Sequence, residues 1–323
     1  MTAKLAVIAI GRNEGARLIA CLASLQGKAD RIIYVDSGSV DNSVANARAA
    51  GAEVVELTAD KPFTAARARR EGYEHLQSGD MPKFVQFIDG DCIVVDGWLD
   101  HAVAAQQADA NRGIVTGWRR EIHPEASLYN DLCHDEWNRP AGDILTCGGD
   151  MMVRPQAYEE AGGFDDTVIA AEDDEFCVRL RKQGWTIHRI PQEMTKHDAA
   201  MLRFGQWWQR AIRSGHGFAQ VGYMHPPYFA KEQKRVLIYG AITPILALLF
   251  LTTAPMLLLF IAALYSINYW RTAKGLIANG MIPTRAYRHS VLLTLSKIPN
   301  ALGMAIFHWR RLKGRNMQII EYK

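Results

Sequence analysis

Cysteine is scarce in this 323-residue chain: five, at positions 21, 92, 133, 147 and 177, with no CxxC pair. An odd, scattered set excludes a disulfide framework and a cysteine-rich zinc site as organising principles. The glycine fingerprints of common nucleotide-binding folds are missing too. No GxGxxG follows the first apolar run, and GxxxxGK[ST] occurs nowhere, which argues against a dinucleotide oxidoreductase and a P-loop NTPase. Nor does charge of one sign dominate: 37 Lys and Arg against 34 Asp and Glu leave a formal net charge of +3. No nucleic-acid partner is expected. The opening MTAKLAVIAIGRNEG holds an apolar run too short for a secretory signal, and we expect a reducing, cytosolic catalytic portion.

What is present, up to about residue 190, is an alternation. LAVIAI (5–10) precedes ARLIACLASL (16–25), and RIIYV (31–35) precedes DNSVANARAAG (41–51), with Gly51 as a helix stop. AEVVEL (52–57) precedes TAARARREGYEHL (64–76), and FVQFI (84–88) leads into GWLDHAVAAQQ (97–107). Strands alternating with helices at this spacing predict an α/β domain with a mainly parallel sheet flanked by helices. Ligands of such sheets bind at the carboxyl ends of the strands. The polar loops GRNEG, DSGSVD and DGD fall there.

After residue 230 the character changes. From Val236 to Trp270 no residue is charged. One straight helix of that length would measure roughly 50 Å, beyond the roughly 30 Å hydrocarbon core of a bilayer. Pro244 and Pro255 interrupt it and TTAP (252–255) reads as a turn, so a membrane-inserted hairpin over 236–270 is expected. A buried helix pair in a water-soluble fold is the alternative. Lys231, Lys234 and Arg235 precede the segment, and Arg271 and Lys274 follow it, which favours both ends being cytoplasmic. The tail 286–315 is amphipathic and basic, with Trp309 beside Arg310 and Arg311. It reads as lying on the membrane surface, or else as an ordinary surface helix pair. The expected division is a catalytic domain over 1–230 and a membrane-associated helical region over 231–323.

The chemistry concentrates in a few short stretches. FVQFIDGDC ends a core strand on two carboxylates, Asp89 and Asp91, one residue apart. Such a pair is costly to desolvate unless a cation or hydrogen bonds compensate. The loop is either a simple turn or a divalent-cation site. Asp36 ends another strand, where a carboxylate can accept an N–H from a nucleobase, while Asp41 is better placed to cap the next helix. AAEDDEFCVRLRKQGW (170–185) starts a helix at Glu172–Asp174, acids that suit the helix dipole or supply a general base. Gly148 and Gly149, before Asp150 and an apolar strand, would let backbone approach a ligand closely. Downstream lie His197, Trp207, Trp208, Arg210 and Arg213. The polar segment RREIHPEASLYNDLCHDEWNRP, with His123, His134, Asp135 and Glu136, reads as an acceptor-side loop, with a metal site as the alternative.

In their order, VIAIGRNEGARLIACLASL, IIYVDSGSVDNS, AARARREG, FIDGDC, GGDMMVRPQAYEEAGGFDD and AEDDEFCVRLRKQGW resemble the family 2 inverting glycosyltransferases of the GT-A fold, over roughly residues 4–220. The uncharged hairpin and the closing IIEYK look similar to membrane-associated members that build bacterial exopolysaccharides. The resemblance implies that Asp36 contacts the nucleotide base and that Arg69 lies near base and diphosphate. It makes Asp89 and Asp91 the DxD motif of the donor site, with Asp91 the direct ligand of Mg²⁺ or Mn²⁺. His197 completes the metal or diphosphate site, and Asp173 is the catalytic base. Gly148, Gly149, Asp150, Glu172, Arg210 and Arg213 fall on the acceptor or diphosphate side. Ser37 stands where many members carry a second acid, Arg70 where the ARN-x-G pattern has Asn, and the QxxRW element of processive synthases is absent as such.

The expected activity is metal-dependent, inverting hexosyl transfer from a nucleotide-diphospho-sugar to a hydroxyl of a lipid-linked or saccharide acceptor. The setting would be the cytoplasmic face of the inner membrane, in exopolysaccharide or cell-envelope polysaccharide synthesis. Transfer onto a polyprenyl phosphate and a catalytically silent nucleotide- and metal-binding membrane scaffold are the alternatives. To serve as base, Asp173 must ionise, so a nearby cation or N–H donors are expected to lower its pKa against Glu172 and Asp174.

Overall fold

The computed structural model describes residues 5–315 and 317–320; Glu321–Lys323 of the closing IIEYK lie outside the described residues. The chain forms two compact units. One comprises the residues up to Pro124 together with Cys133–Ala200, and the other comprises Glu125–Leu132 with the residues from Met201 onward.

In the first unit, near-continuous apolar runs become strands, all but the edge strand largely buried on both faces. They are β1 (Leu5–Gly11), β2 (Arg31–Asp36), β3 (Glu53–Glu56) and β4 (Phe84–Asp89), joined through helices α1 (Ala16–Leu25), α2 (Ser43–Ala49) and α3 (Ala65–Leu76). These follow the expected alternation. Parallel pairing sets Gly11 beside Asp36 and Ile10 beside Asp89, so two strand-ending aspartates finish on one edge of the sheet. Side chains alternate between two cores. Ile8, Val35 and Phe87 face Tyr73, Phe164 and Phe176 on one side. Val7, Tyr34 and Ile88 face Leu18, Leu22 and Trp98 on the other.

Beyond β4 the sheet is mixed. After β5 (Cys92–Val94), α4 (Trp98–Ala108) and β6 (Arg112–Glu121), the chain passes through α5 (Leu128–Trp137) and β7 (Gly142–Ile144). It then continues as β8 (Met151–Val153), α6 (Pro155–Glu160), α7 (Glu172–Lys182) and β9 (Thr186–His197). The strand order is β3-β2-β1-β4-β8-β6-β9-β5, with β7 on β9. The β8 strand begins at the edge where β4 ends, and so runs antiparallel to it, Val85 opposite Val153. That reversal sets Asp150 beside Asp89.

The second unit is helical: α8 (Phe204–Met224), α9 (Ala230–Val236), a π-helical segment (Leu237–Ile242), α10 (Thr243–Thr253), α11 (Leu257–Ala278), α12 (Pro283–Leu295) and α13 (Lys297–Leu312). A turn does fall at 254–256, where TTAP predicts one. Pro244 does not break the helix, which runs on from Ala230 to Thr253. The wide π turn ahead of it relieves the clash between the proline ring and the carbonyl one turn back. Two helices, Ala230–Thr253 and Pro283–Leu312, are long and apolar enough to cross a membrane. The tail also has a protein partner. A Cβ on Gly215 would lie 2.0 Å from the Asn300 carbonyl oxygen, and one on Gly303 2.0 Å from that of Ile212. Glycines at those points let the backbones of α8 and α13 touch.

Gly72 performs the same service in the first unit, where an added Cβ would sit 2.6 Å from Ile8 Cγ2 and 2.8 Å from Val35 Cγ2. Gly72→Ala is expected to lift α3 off the sheet and cost roughly 1–3 kcal/mol, read as a lowered midpoint in urea denaturation. An unchanged midpoint would show that this packing is slack.

Candidate active site

The site is built at the sheet edge where β2 and β4 end. Asp36 is buried and already satisfied. Its carboxylate accepts the Tyr34 hydroxyl at 3.0 Å and the backbone N–H groups of Gly38 and Ser39 at 3.0 and 2.8 Å, which shapes the loop after β2. Asp41 holds the neighbouring turn, accepting from the N–H groups of Ser43 and Gly15 at 2.9 and 3.1 Å.

Arg69, on α3, is 2% exposed. Its guanidinium donates to Asp89 and to Glu172, each at 2.8 Å, and lies over the Phe164 ring. Burial works against that charge, but Asp89 and Glu172 outweigh it and hold the Arg69 pKa above its ordinary value. The other Asp89 oxygen accepts from Arg119 at 3.1 Å. Although burial pushes the Asp89 carboxyl up, the two arginines bring it below the usual range. Arg119 also reaches Asp150 at 2.7 Å, and Asp150 accepts the Thr195 hydroxyl at 2.8 Å and the Asp89 N–H at 3.0 Å. Sequence reasoning missed Arg119, Thr195 and Trp137. A signal for the first exists: Gly117 interrupts β6 just before Trp118-Arg119, where the register with β9 shifts. Glycine within a strand marks such bulges, which re-aim the side chains that follow.

Asp91 and His197 stand together because β5 pairs with β9, Cys92 opposite His197. His197 Nε2 lies 3.2 Å from Asp91 Oδ1, with both residues buried. His197 Nδ1 is buried and makes no hydrogen bond among the described residues, while the ring meets Trp137 edge-on with centroids 4.8 Å apart. Ligand atoms of Asp91, Cys92 and His197 lie within 4.8 Å of one another. Burial, reinforced by Asp150, pushes the Cys92 thiol well up, so it stays protonated and is a poor ligand. That leaves a carboxylate and an imidazole, donors that a divalent metal ion takes. Asp89 and Asp150 also lie close together with Cys92, but Arg119 neutralises both, so that group does not fit a cation.

Asp173 is half-buried in the first turn of α7, its Oδ1 accepting the Asp174 N–H at 2.9 Å. Gly148 is adjacent: a Cβ there would lie 3.9 Å from Asp173 Oδ2. The space beside Gly149 belongs to Arg69 rather than to a ligand, since a Cβ there would lie 2.0 Å from Arg69 Nη2. The expected depression of the Asp173 pKa is reversed. Burial raises it first, Glu172 and Asp174 raise it further, and Arg69 offsets only part. The reason is that Arg69 spends its hydrogen bonds on Glu172 and Asp89. Arg210 and Arg213 lie on α8, in the other compact unit.

Two family models match this chain: Glycosyl transferase family 2 over residues 6–150 and Glycosyl transferase family group 2 over 140–299. The pre-mycofactocin glycosyltransferase of Mycobacterium tuberculosis is 27% identical over 232 residues, 67% of this chain and 47% of that protein. A TPR repeat-containing protein of Synechococcus elongatus is 27% identical over 196 residues, covering 60% and 42%. The chain spans about half the length of these curated relatives. Among solved structures, the fold resembles a mannosyltransferase from Pyrobaculum calidifontis in complex with GDP-Man and Mn²⁺, at TM-score 0.59 and 20% identity. That match covers 96% of this chain and 88% of the other. S. aureus TarS is similar at TM-score 0.50 and 14% identity, covering 74% and 43%. The fold is therefore of the GT-A type. The two models, each matching just under half of the chain, together run from residue 6 to residue 299, so over that range the chain resembles the family 2 glycosyl transferases.

Two outcomes follow from the electrostatics. Gly149→Ala is expected to displace Arg69, leaving the buried Glu172 without its cation and Asp89 with Arg119 alone, at a cost of roughly 3–5 kcal/mol; wild-type unfolding would refute the packing. Asp173 has a folded pKa above its unfolded value, so the native state binds more protons between the two. The ionised group therefore costs stability above the ordinary carboxylate range. Asp173→Asn is expected to raise the melting temperature at neutral pH, by roughly 2–4 °C per kcal/mol relieved. An unchanged or lower melting temperature would contradict the raised pKa.

Proposed function

We propose that the chain transfers a hexosyl group from a nucleotide-diphospho-sugar to an acceptor hydroxyl with inversion at the anomeric carbon. The observation that carries this reading is a metal-competent pair, Asp91 and His197, next to Asp89, which Arg69 ties to Glu172 beside the half-buried carboxylate Asp173. The family match and the likeness to a mannosyltransferase solved with GDP-Man and Mn²⁺ support it and make a GDP-sugar the first donor to try. Catalysis is assigned to residues 1–230 and membrane association to 231–323. The chain would work at the cytoplasmic face of the inner membrane, on a lipid-linked or saccharide acceptor in cell-envelope or exopolysaccharide synthesis.

In this reading Asp36 and its loop receive the nucleotide base. Asp91 and His197 would hold Mn²⁺ or Mg²⁺, which when bound supplies positive charge to the departing diphosphate. Arg69 and Arg119 keep Asp89 fixed and ionised beneath that position. Asp173 takes the proton of the acceptor hydroxyl as its oxygen forms the new bond to the anomeric carbon. The bond to the diphosphate breaks on the opposite side, and the leaving group departs with the electron pair. A raised pKa suits a base, because it strengthens proton affinity, provided the group is ionised at working pH. Glu172, Gly148, Gly149 and Asp150 act by holding Arg69, Asp89 and Asp173 in place; Arg210 and Arg213 are assigned to the acceptor side.

Calorimetry with GDP, UDP, dTDP and CMP, with and without Mn²⁺, tests the donor site. Metal-dependent binding of one nucleotide is expected, and binding of none would favour the silent scaffold. Asp173→Asn should bind that nucleotide normally but lose about 10²–10⁴ in kcat. Near-full turnover would instead indicate a polyprenyl-phosphate acceptor, which needs no strong base. Asp174→Asn should move the acid limb of the kcat/KM profile to lower pH, because it removes one charge that raises Asp173.

A further inference from the structure

We propose that the apolar hairpin of the second unit enters an anionic bilayer from one face and turns back within it, without crossing. This rests on the membrane-associated reading above, and it specifies the partner surface and the depth. The turn at 254–256 joins two arms whose apolar side chains face outward. Leu248, Leu251, Met256, Leu259 and Phe260 are each more than 60% exposed, an unusual load of bare hydrocarbon for a surface in water.

The arms are short. On α11 the uncharged stretch Leu257–Trp270 is followed at once by Arg271. Fourteen helical residues measure about 21 Å, short of the roughly 30 Å hydrocarbon core. On the incoming arm the π segment is covered by protein on its Gly240 face, where a Cβ would overlap the Lys297 carbonyl, while Leu237 and Ile242 are exposed. The uncharged incoming arm, Val236–Thr253, is eighteen residues or about 27 Å, also short of the core.

The base of the hairpin is polar and matches a headgroup level. The Tyr265 hydroxyl donates to the Tyr239 carbonyl at 2.5 Å, and Asn268 donates to the Thr294 hydroxyl at 3.3 Å. Tyr269, Trp270 and Tyr287 pack edge-on just beyond, an aromatic belt of the kind found at membrane interfaces. Lys231, Lys234 and Arg235 precede one arm, and Arg271 and Lys274 follow the other. Cations on both flanks select one face of the bilayer and anionic headgroups.

The full-length chain carrying Met256→Cys is bound to preformed phosphatidylcholine–phosphatidylglycerol vesicles and challenged with a membrane-impermeant maleimide. The five native cysteines are buried and give a low background. No labelling is expected from reagent outside or trapped inside, with full labelling in detergent. Labelling by the trapped reagent would show a hairpin that crosses, and labelling from outside one that does not insert; either overturns the proposal. A second variant, Leu248→Glu with Leu259→Glu, alters exposed positions only. It should leave the vesicles for the supernatant, and its retention on them would also overturn the proposal. Nucleotide calorimetry, run on the same proteins, reports on the catalytic reading and is independent of the hairpin.

Discussion

A single buried cation organises the first unit. Arg69 brings α3 to the end of β4 and the start of α7 by bonding Asp89 and Glu172 at once. Removing that charge would leave the buried Glu172 without its cation and Asp89 with Arg119 alone. The geometry around it follows from the need to house a guanidinium: Gly149 has no side chain because the guanidinium occupies the space, and Phe164 offers its face. With Arg119 on its second oxygen, Asp89 is a fixed structural acid. The outer aspartate of DGD is then the one paired with an imidazole.

The same arrangement explains why Asp173 differs from its neighbours. Three acids open α7 in succession, and the dipole of the helix favours all of them. Arg69 takes Glu172, the Thr146 hydroxyl donates to Asp174 at 2.8 Å, and Asp173 is left with one backbone N–H. Charge compensation is thus given to the residues on either side of it. Burial, with Glu172 and Asp174 beside it, holds its pKa up, and a carboxylate perturbed in this way marks a candidate functional site.

Much of this was legible in the residues themselves. LAVIAI, RIIYV and FVQFI are too apolar and too short to be anything but buried strands, and the loops after them are where parallel pairing places a site. The helix start at Glu172 follows from the stripe of Phe176, Cys177 and Leu180. What could not be read was non-local. Nothing near Arg119 in the sequence announces Asp89 or Asp150, because a bulge in β6 and the reversed direction of β8 bring them together. The need for an ionised base suggested a depressed Asp173 pKa, whereas burial, with Glu172 and Asp174 beside it, raises it. Likewise Gly215 and Gly303 look like helix breakers until α8 and α13 are seen to meet through them.

The most direct test of the account is electron paramagnetic resonance of Mn²⁺ titrated into the protein with its nucleotide. One bound ion with nitrogen hyperfine coupling is expected, the coupling lost in His197→Ala and the bound signal itself lost in Asp91→Asn. An ion retained unchanged in Asp91→Asn, or one without nitrogen coupling in the unaltered protein, would contradict the assignment of the metal to Asp91 and His197.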